Sequence, residues 1–258
     1  MWDVLETTQL TRDTVAALFD NELCAVRIPG FAPPATCNLA LRGIAAHGME
    51  YYRNIQPPIG RIGITQYEHM NGPDEKRSYF SKTAAANATR KAIFSQSGDL
   101  LAGVIGVFQG AWRERVDIAV ENTGEQYFAG LVRHIPIALL HRDWAPKDAR
   151  GWSVGNVSAQ LTWNIYLQTS ESGGGLVIYK RRYEESDECA KLAPDNCAFS
   201  AAMVKDCDLA EIRPEPGELL LFNARNYHEV RRTEGTTPRI TTSSFIGRMP
   251  AGDLAFWS

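Results

Sequence analysis

Ile135-Pro136-Ile137-Ala138-Leu139-Leu140-His141-Arg142-Asp143 is the stretch on which the reading of this chain turns. An apolar run ends in an imidazole and a carboxylate two residues apart. At a strand end, side chains at i and i+2 leave on one face. Two metal-binding groups then converge from one short piece of backbone. The matching third group is His228, in Tyr227-His228-Glu229-Val230, which follows the apolar run Gly217-Glu218-Leu219-Leu220-Leu221-Phe222-Asn223. Two imidazoles and one carboxylate on one face of a metal leave the opposite face open, as in non-heme Fe(II) centres.

The rest of the chain bounds this reading. Its 258 residues, 44% hydrophobic and 22% charged, suit one packed domain spanning 1–258. A formal net charge of -3 gives no basic footprint for nucleic acid or an anionic membrane. No apolar run is long enough to span a bilayer, and the acidic start Met1-Trp2-Asp3-Val4-Leu5-Glu6 is not a signal peptide. Cys24, Cys37, Cys189, Cys197 and Cys207 are odd in number and lack CxxC spacing, so reduced thiols and a cytoplasmic location are expected. The spacing of the last three does not match a zinc knuckle.

Residues 1–124 read as mostly helical support, with a substrate-loop region inside them. An amphipathic segment runs from Thr14 to Leu23 after Thr11-Arg12-Asp13. A β-like run covers Cys24 to Ile28, and a second helix Pro34 to Arg53. Residues 54–80 mix turn residues with a short β pattern and carry Arg61, Gln66, Tyr67, Glu68 and His69 close together. Asn71-Gly72-Pro73-Asp74 reads as a loop. Lys82 to Val120 reads as helical, broken at Ser97-Gly98-Asp99. Strand patterns then follow one another: Gln126 to Arg133, Ile135 to Leu140, Ala159 to Gln168, Leu176 to Tyr179, Ala210 to Pro214, Glu218 to Asn223, Tyr227 to Arg232 and Arg239 to Gly247. Short strands with turn signals between them predict a jelly roll over 125–248, mainly β, with a helical layer packed on it. A polar insertion at 181–208 fits no pattern.

The order of motifs resembles that of the 2-oxoglutarate and Fe(II)-dependent oxygenases. It runs His141-x-Asp143, Gly173-Gly174, Pro216 to Phe222, His228, then Arg239-x-Thr241-x-Ser243, and covers roughly 125–248. The resemblance implies a double-stranded β-helix (jelly-roll) core. It also implies Fe(II) held by His141, Asp143 and His228, with 2-oxoglutarate as cosubstrate, O2 as oxidant and ascorbate as stimulant. Arg239 would hold the distal carboxylate of 2-oxoglutarate, because a guanidinium pairs with a carboxylate in two parallel bonds. Thr241 is the expected hydroxyl partner. In such enzymes 2-oxoglutarate is decarboxylated to succinate and CO2 as an unactivated C–H bond is oxidised. Arg61 is the expected holder of a substrate carboxylate. Halogenases of this superfamily replace the carboxylate ligand by Gly or Ala, so Asp143 points to hydroxylation of a small metabolite, such as a free amino acid or natural-product intermediate.

Blander readings stand beside these. HxD alone is common by chance, and a lone strand histidine is usually structural; the joint pattern carries the weight. His47, His69 and His134 read as structural or surface residues, with His69 a possible exception beside the pocket. Arg142 points away from the metal by alternation, toward the surface or a salt bridge. Trp144, Trp152 and Trp163 read as core, with room for one at the site. Of Asn156, Gln160, Thr162, Asn164 and Tyr166, only one alternate set faces inward, and the register is open. An oxygenase acting on a protein side chain, as prolyl hydroxylases do, and a cupin-like metal-binding domain without redox chemistry are the alternatives. The oligomeric state is not encoded in any motif.

Overall fold

The computed structural model describes residues 2–52, 58–193 and 197–258. The first residues of the expected substrate loop (54–57) and 194–196 of the insertion lie outside them. In chain order the elements begin with β1 (Val4–Glu6), α1 (Arg12–Phe19), β2 (Ala25–Ile28), α2 (Pro34–His47), β3 (Glu50–Tyr51) and β4 (Gly60–Ile62). Next come α3 (Pro73–Ile93), α4 (Leu100–Ala111), β5 (Val116–Ile118), β6 (Leu131–His134), β7 (Ala138–His141), α5 (Ala145–Asp148), β8 (Ala159–Gln168), β9 (Ser172–Gly173) and β10 (Leu176–Arg182). The chain closes with β11 (Leu209–Ile212), β12 (Leu219–Phe222), β13 (Asn226–Val230), β14 (Thr233–Glu234), β15 (Ile240–Arg248) and β16 (Leu254–Trp257).

The strands form a large sheet along β1-β2-β12-β8-β15-β6-β4-β3, with β16 attached at β15 and β5 at β16, and a smaller sheet β11-β10-β13-β7. The molecule is mainly β with helices. β8 shows how the layers arise. Its ten residues alternate, so Leu161, Trp163, Ile165 and Leu167 join Val15, Leu18, Ala40 and Ile44 of α1 and α2 in one apolar cluster. The other set, Gln160, Thr162, Asn164 and Tyr166, lines a cavity on the opposite face. A second cluster joins Tyr166, Leu220 and Phe222 of the large sheet to Leu176, Ile178, Ile212 and Val230 of the small one, so the two sheets share a core.

Several elements differ from the sequence reading. Residues 1–124 are more than helical support: β1 to β5 all enter the large sheet, and β2 pairs with β12. α2 stops at His47 because Gly48 takes φ 81, and β3 follows it. α3 begins at Pro73, inside the stretch read as a loop. Proline is favoured at a first helical position, where no amide hydrogen is needed. The helical reading to Val120 fails at its end, where Val116–Ile118 pairs with β16 in parallel. The strand read from Gln126 is confined to Leu131–His134. Gly130 at φ +86 breaks it, leaving Tyr127, Phe128 and Ala129 fully buried but outside the ladder. Ser172–Gly173, which falls between the strands read at Ala159 to Gln168 and Leu176 to Tyr179, forms a short ladder with β14.

Candidate active site

β7 ends on His141, and its register partner on β13 is His228. Antiparallel partners leave the sheet on one face, and the two rings lie 4.2 Å apart between centroids. Asp143 sits two residues past the end of β7, anchored by its amide to the Ala224 carbonyl at 2.9 Å. Its Oδ2 is 3.5 Å from His228 Nε2. One ligand atom from each of His141, Asp143 and His228 lies within 4.8 Å of the others. His141 Nδ1 is 2.7 Å from the Leu139 carbonyl, and His228 Nδ1 is 2.8 Å from the Asn226 carbonyl. A carbonyl only accepts, so each Nδ1 carries the proton and each Nε2 keeps its lone pair for a metal. Burial, and then the neighbouring His228, push the His141 imidazole down to about 4. Burial alone would raise Asp143, but the His228 and His141 rings beside it and the Arg133 guanidinium hold the carboxyl down at about 2. Neutral imidazoles and an ionised carboxylate are the forms that bind Fe(II).

Across the cavity stands Arg239, just ahead of β15 and only 3% exposed. Its Nη2 donates to the Tyr166 hydroxyl at 3.2 Å, and the guanidinium lies 4.9 Å from the centre of that ring. Among the described residues its Nε and Nη1 have no partner, nor has Thr241 Oγ1 two residues on, although all three atoms are buried. Unpaired buried donors of this kind are costly, and a carboxylate supplies the acceptors they lack. The donor set therefore fits 2-oxoglutarate, as the three ligand atoms fit Fe(II). The cavity between these groups measures about 410 Å³ and takes walls from both sheets.

The remaining residues singled out from sequence divide. Gln66, Tyr67 and Trp144 line the cavity, as do Cys197 and Ala198 of the polar insertion. Arg61 does not line it. Its guanidinium is taken by Glu68 at 2.9 Å, Glu50 at 3.2 Å and the Gly63 carbonyl at 2.6 Å, and it stacks on Tyr52, a cavity wall. His69 is buried against the Thr65 carbonyl, away from the cavity. Arg142 is salt-bridged, to Asp148 and Glu188, but it is buried and does not reach the surface. Trp152 and Trp163 are core residues outside the cavity lining. Sequence reading missed Arg133, which lines the cavity from β6. A charged residue directly after Leu131 and Val132 in a mostly buried strand was the signal available.

The comparisons with known proteins bear on this site. Residues 5–256 match the model of the family described as carrier-protein-independent halogenase WelO5. The chain belongs to this family. It is thereby one of the Fe(II)- and 2-oxoglutarate-dependent oxygenases, and an enzyme. It is 36% identical over 209 residues to leucinostatins biosynthesis cluster protein S of Purpureocillium lilacinum, covering 78% of this chain and 84% of that protein. It is 26% identical to L-gamma-glutamyl-L-propargylglycine hydroxylase of Streptantibioticus cattleyicolor, covering 98% and 95%. In fold it is similar to an N-substituted L-amino acid dioxygenase from Burkholderia ambifaria. The TM-score is 0.65 at 16% identity, over 96% of this chain and 91% of that one. Among the described residues, no helix is long and apolar enough to cross a membrane.

Proposed function

We propose that this enzyme hydroxylates an unactivated C–H bond of a small amino-acid-like metabolite, with release of succinate and CO2. In this reading His141, Asp143 and His228 hold Fe(II), and Arg239 with Thr241 holds the distal carboxylate of 2-oxoglutarate. The two sheets form the double-stranded β-helix that carries them. The observation that carries the proposal is Asp143 itself, whose carboxylate stands beside both imidazoles. The family is described as a halogenase, and a halide needs the coordination position that a carboxylate fills. With Asp143 in that position, hydroxylation is the favoured outcome. The relative described as a hydroxylase of a γ-glutamyl amino acid supports a substrate of amino-acid type.

The bound iron and cosubstrate would supply the oxidising power. The chain supplies placement. The Leu139 and Asn226 carbonyls fix the two imidazoles, and the Ala224 carbonyl fixes the backbone of Asp143. Arg239 orients the cosubstrate from the opposite wall. Apolar side chains such as Leu131, Ile135, Phe222 and Val230 keep water from the reacting centre, and Thr162 and Asn164 offer hydrogen bonds to the substrate. A cavity of about 410 Å³ suits a small molecule. This favours a metabolite over a protein side chain as substrate.

The test is a screen of amino acids, their N-acyl derivatives and γ-glutamyl dipeptides for stimulated succinate release with Fe(II), 2-oxoglutarate, ascorbate and chloride. The expected product gains one oxygen atom. A chlorinated product from the unaltered enzyme would overturn the assignment of hydroxylation.

A further inference from the structure

Arg133 is the one cationic side chain of the described cavity wall that the proposed chemistry leaves without a task. It lies on β6, and Leu131 and Ile135 to either side also face the cavity. Its Nε and Nη2 both donate to Ser243 Oγ, at 3.2 and 2.8 Å. A hydroxyl fixes the guanidinium without neutralising it. Among the described residues Arg133 forms no ion pair. The two side-chain carboxylates of the described wall are committed elsewhere. Asp143 stands against His228, and Asp148 against Arg142 and the amide of Trp144.

The charge balance then points one way. With Fe(II) and 2-oxoglutarate in place, the metal, Asp143 and the dianion together carry one negative charge, which Arg239 cancels. Arg133 remains as a half-buried positive charge with no counter-ion among the described residues, facing a cavity into which an anion would fit. A second donor lining the cavity also lacks a partner among the described residues: Gln66 is 5% exposed, and its Nε2 makes no hydrogen bond there.

We infer that Arg133 anchors a carboxylate of the substrate, so that the enzyme acts on a small organic monoacid, an amino acid or N-acylated amino acid, and not on a neutral apolar compound. The inference rests on the reading of Arg239 as the cosubstrate anchor. Ser243 is a positioning residue, because it orients the guanidinium through its hydroxyl. Arg61 serves a different end: with its charge met by Glu68 and Glu50, it braces Tyr52 in the wall.

The experiment uses the full chain loaded with Mn(II) and 2-oxoglutarate without oxygen. Proteinogenic amino acids, their N-acetyl derivatives and their primary amides are tested by thermal shift, and the acids that stabilise it are titrated by calorimetry. The expected result is stabilisation by one or more acids and not by the matching amides. Arg133→Gln should weaken acid binding by about thirtyfold or more, as for loss of one partner of a buried charge pair. Arg133→Lys should recover part of it, and affinity for 2-oxoglutarate should stay as in the unaltered protein. Stabilisation by amides as well as acids, by no acid at all, or equal acid binding by Arg133→Gln would overturn the inference. So would a parallel loss of 2-oxoglutarate affinity in that variant. Acids that bind through Arg133 yet fail to stimulate succinate release would leave the anchor standing and remove the proposed hydroxylation instead.

Discussion

His141 and His228 are register partners on two antiparallel strands, and their rings approach to 4.2 Å between centroids. The pairing of β7 with β13 therefore brings together two imidazoles that are 87 residues apart in the chain. Asp143 is added by two more residues of the same chain segment, so the ladder itself determines the spacing of the three groups.

Removing one of those groups should empty the site. Asp143→Ala and His228→Ala are each expected to weaken Mn(II) binding by more than about a hundredfold, beyond the 10–100-fold typical of losing an outer partner. Both should end succinate formation. Equilibrium dialysis against the unaltered protein checks this, and undiminished metal content in either variant would refute the assignment.

Arg239 is expected to act on the cosubstrate and far less on the substrate. Arg239→Ala should raise the KM for 2-oxoglutarate by an amount corresponding to about 2–5 kcal/mol. The measurement is initial rate against each of the two reactants. An unchanged dependence on 2-oxoglutarate would remove Arg239 from the site.

Arg142 stands outside the cavity lining but holds the segment that presents Asp143. Its guanidinium is buried between Asp148 and Glu188 and lies 4.2 Å from the centre of the Tyr183 ring. Arg142→Ala should destabilise the fold by about 2–3 kcal/mol, at the low end for a broken buried pair because both acids remain partly exposed. Urea denaturation reads this directly.

Glu121 gives a pH dependence with a definite sign. It is buried, and its carboxylate accepts from Tyr127 at 2.6 Å and from the Ser153 amide at 3.0 Å, with Lys76 at 3.1 Å. Burial opposes ionisation, but these donors outweigh it and hold the carboxyl below its ordinary 4.5. A depressed carboxyl stabilises the fold above its unfolded value and loses that contribution as pH falls through the folded value. Glu121→Gln should cost about 1–3 kcal/mol at neutral pH, and the gap to the unaltered protein should narrow once the pH drops below about 4.5. Denaturation at neutral and acidic pH checks it; a gap that widens on acidification would be the wrong sign.

The sequence by itself determined the parts of this protein that are local. An imidazole and a carboxylate two residues apart at a strand end must converge, and an apolar run followed by His228 had to be a second strand carrying a third group. The period of β8 was equally legible, since alternation is a property of the extended backbone. Its phase was not. Gln160, Thr162, Asn164 and Tyr166 face the cavity because α1 and α2 cover the other side of β8, and that choice is made by packing between distant segments. The two arginines make the same point. Arg61 and Arg133 are register partners on β4 and β6 and leave the sheet on one face. Only the tertiary structure decided between them: Glu68 and Glu50 reach Arg61 and meet its charge, while Arg133 has a serine hydroxyl and the cavity before it.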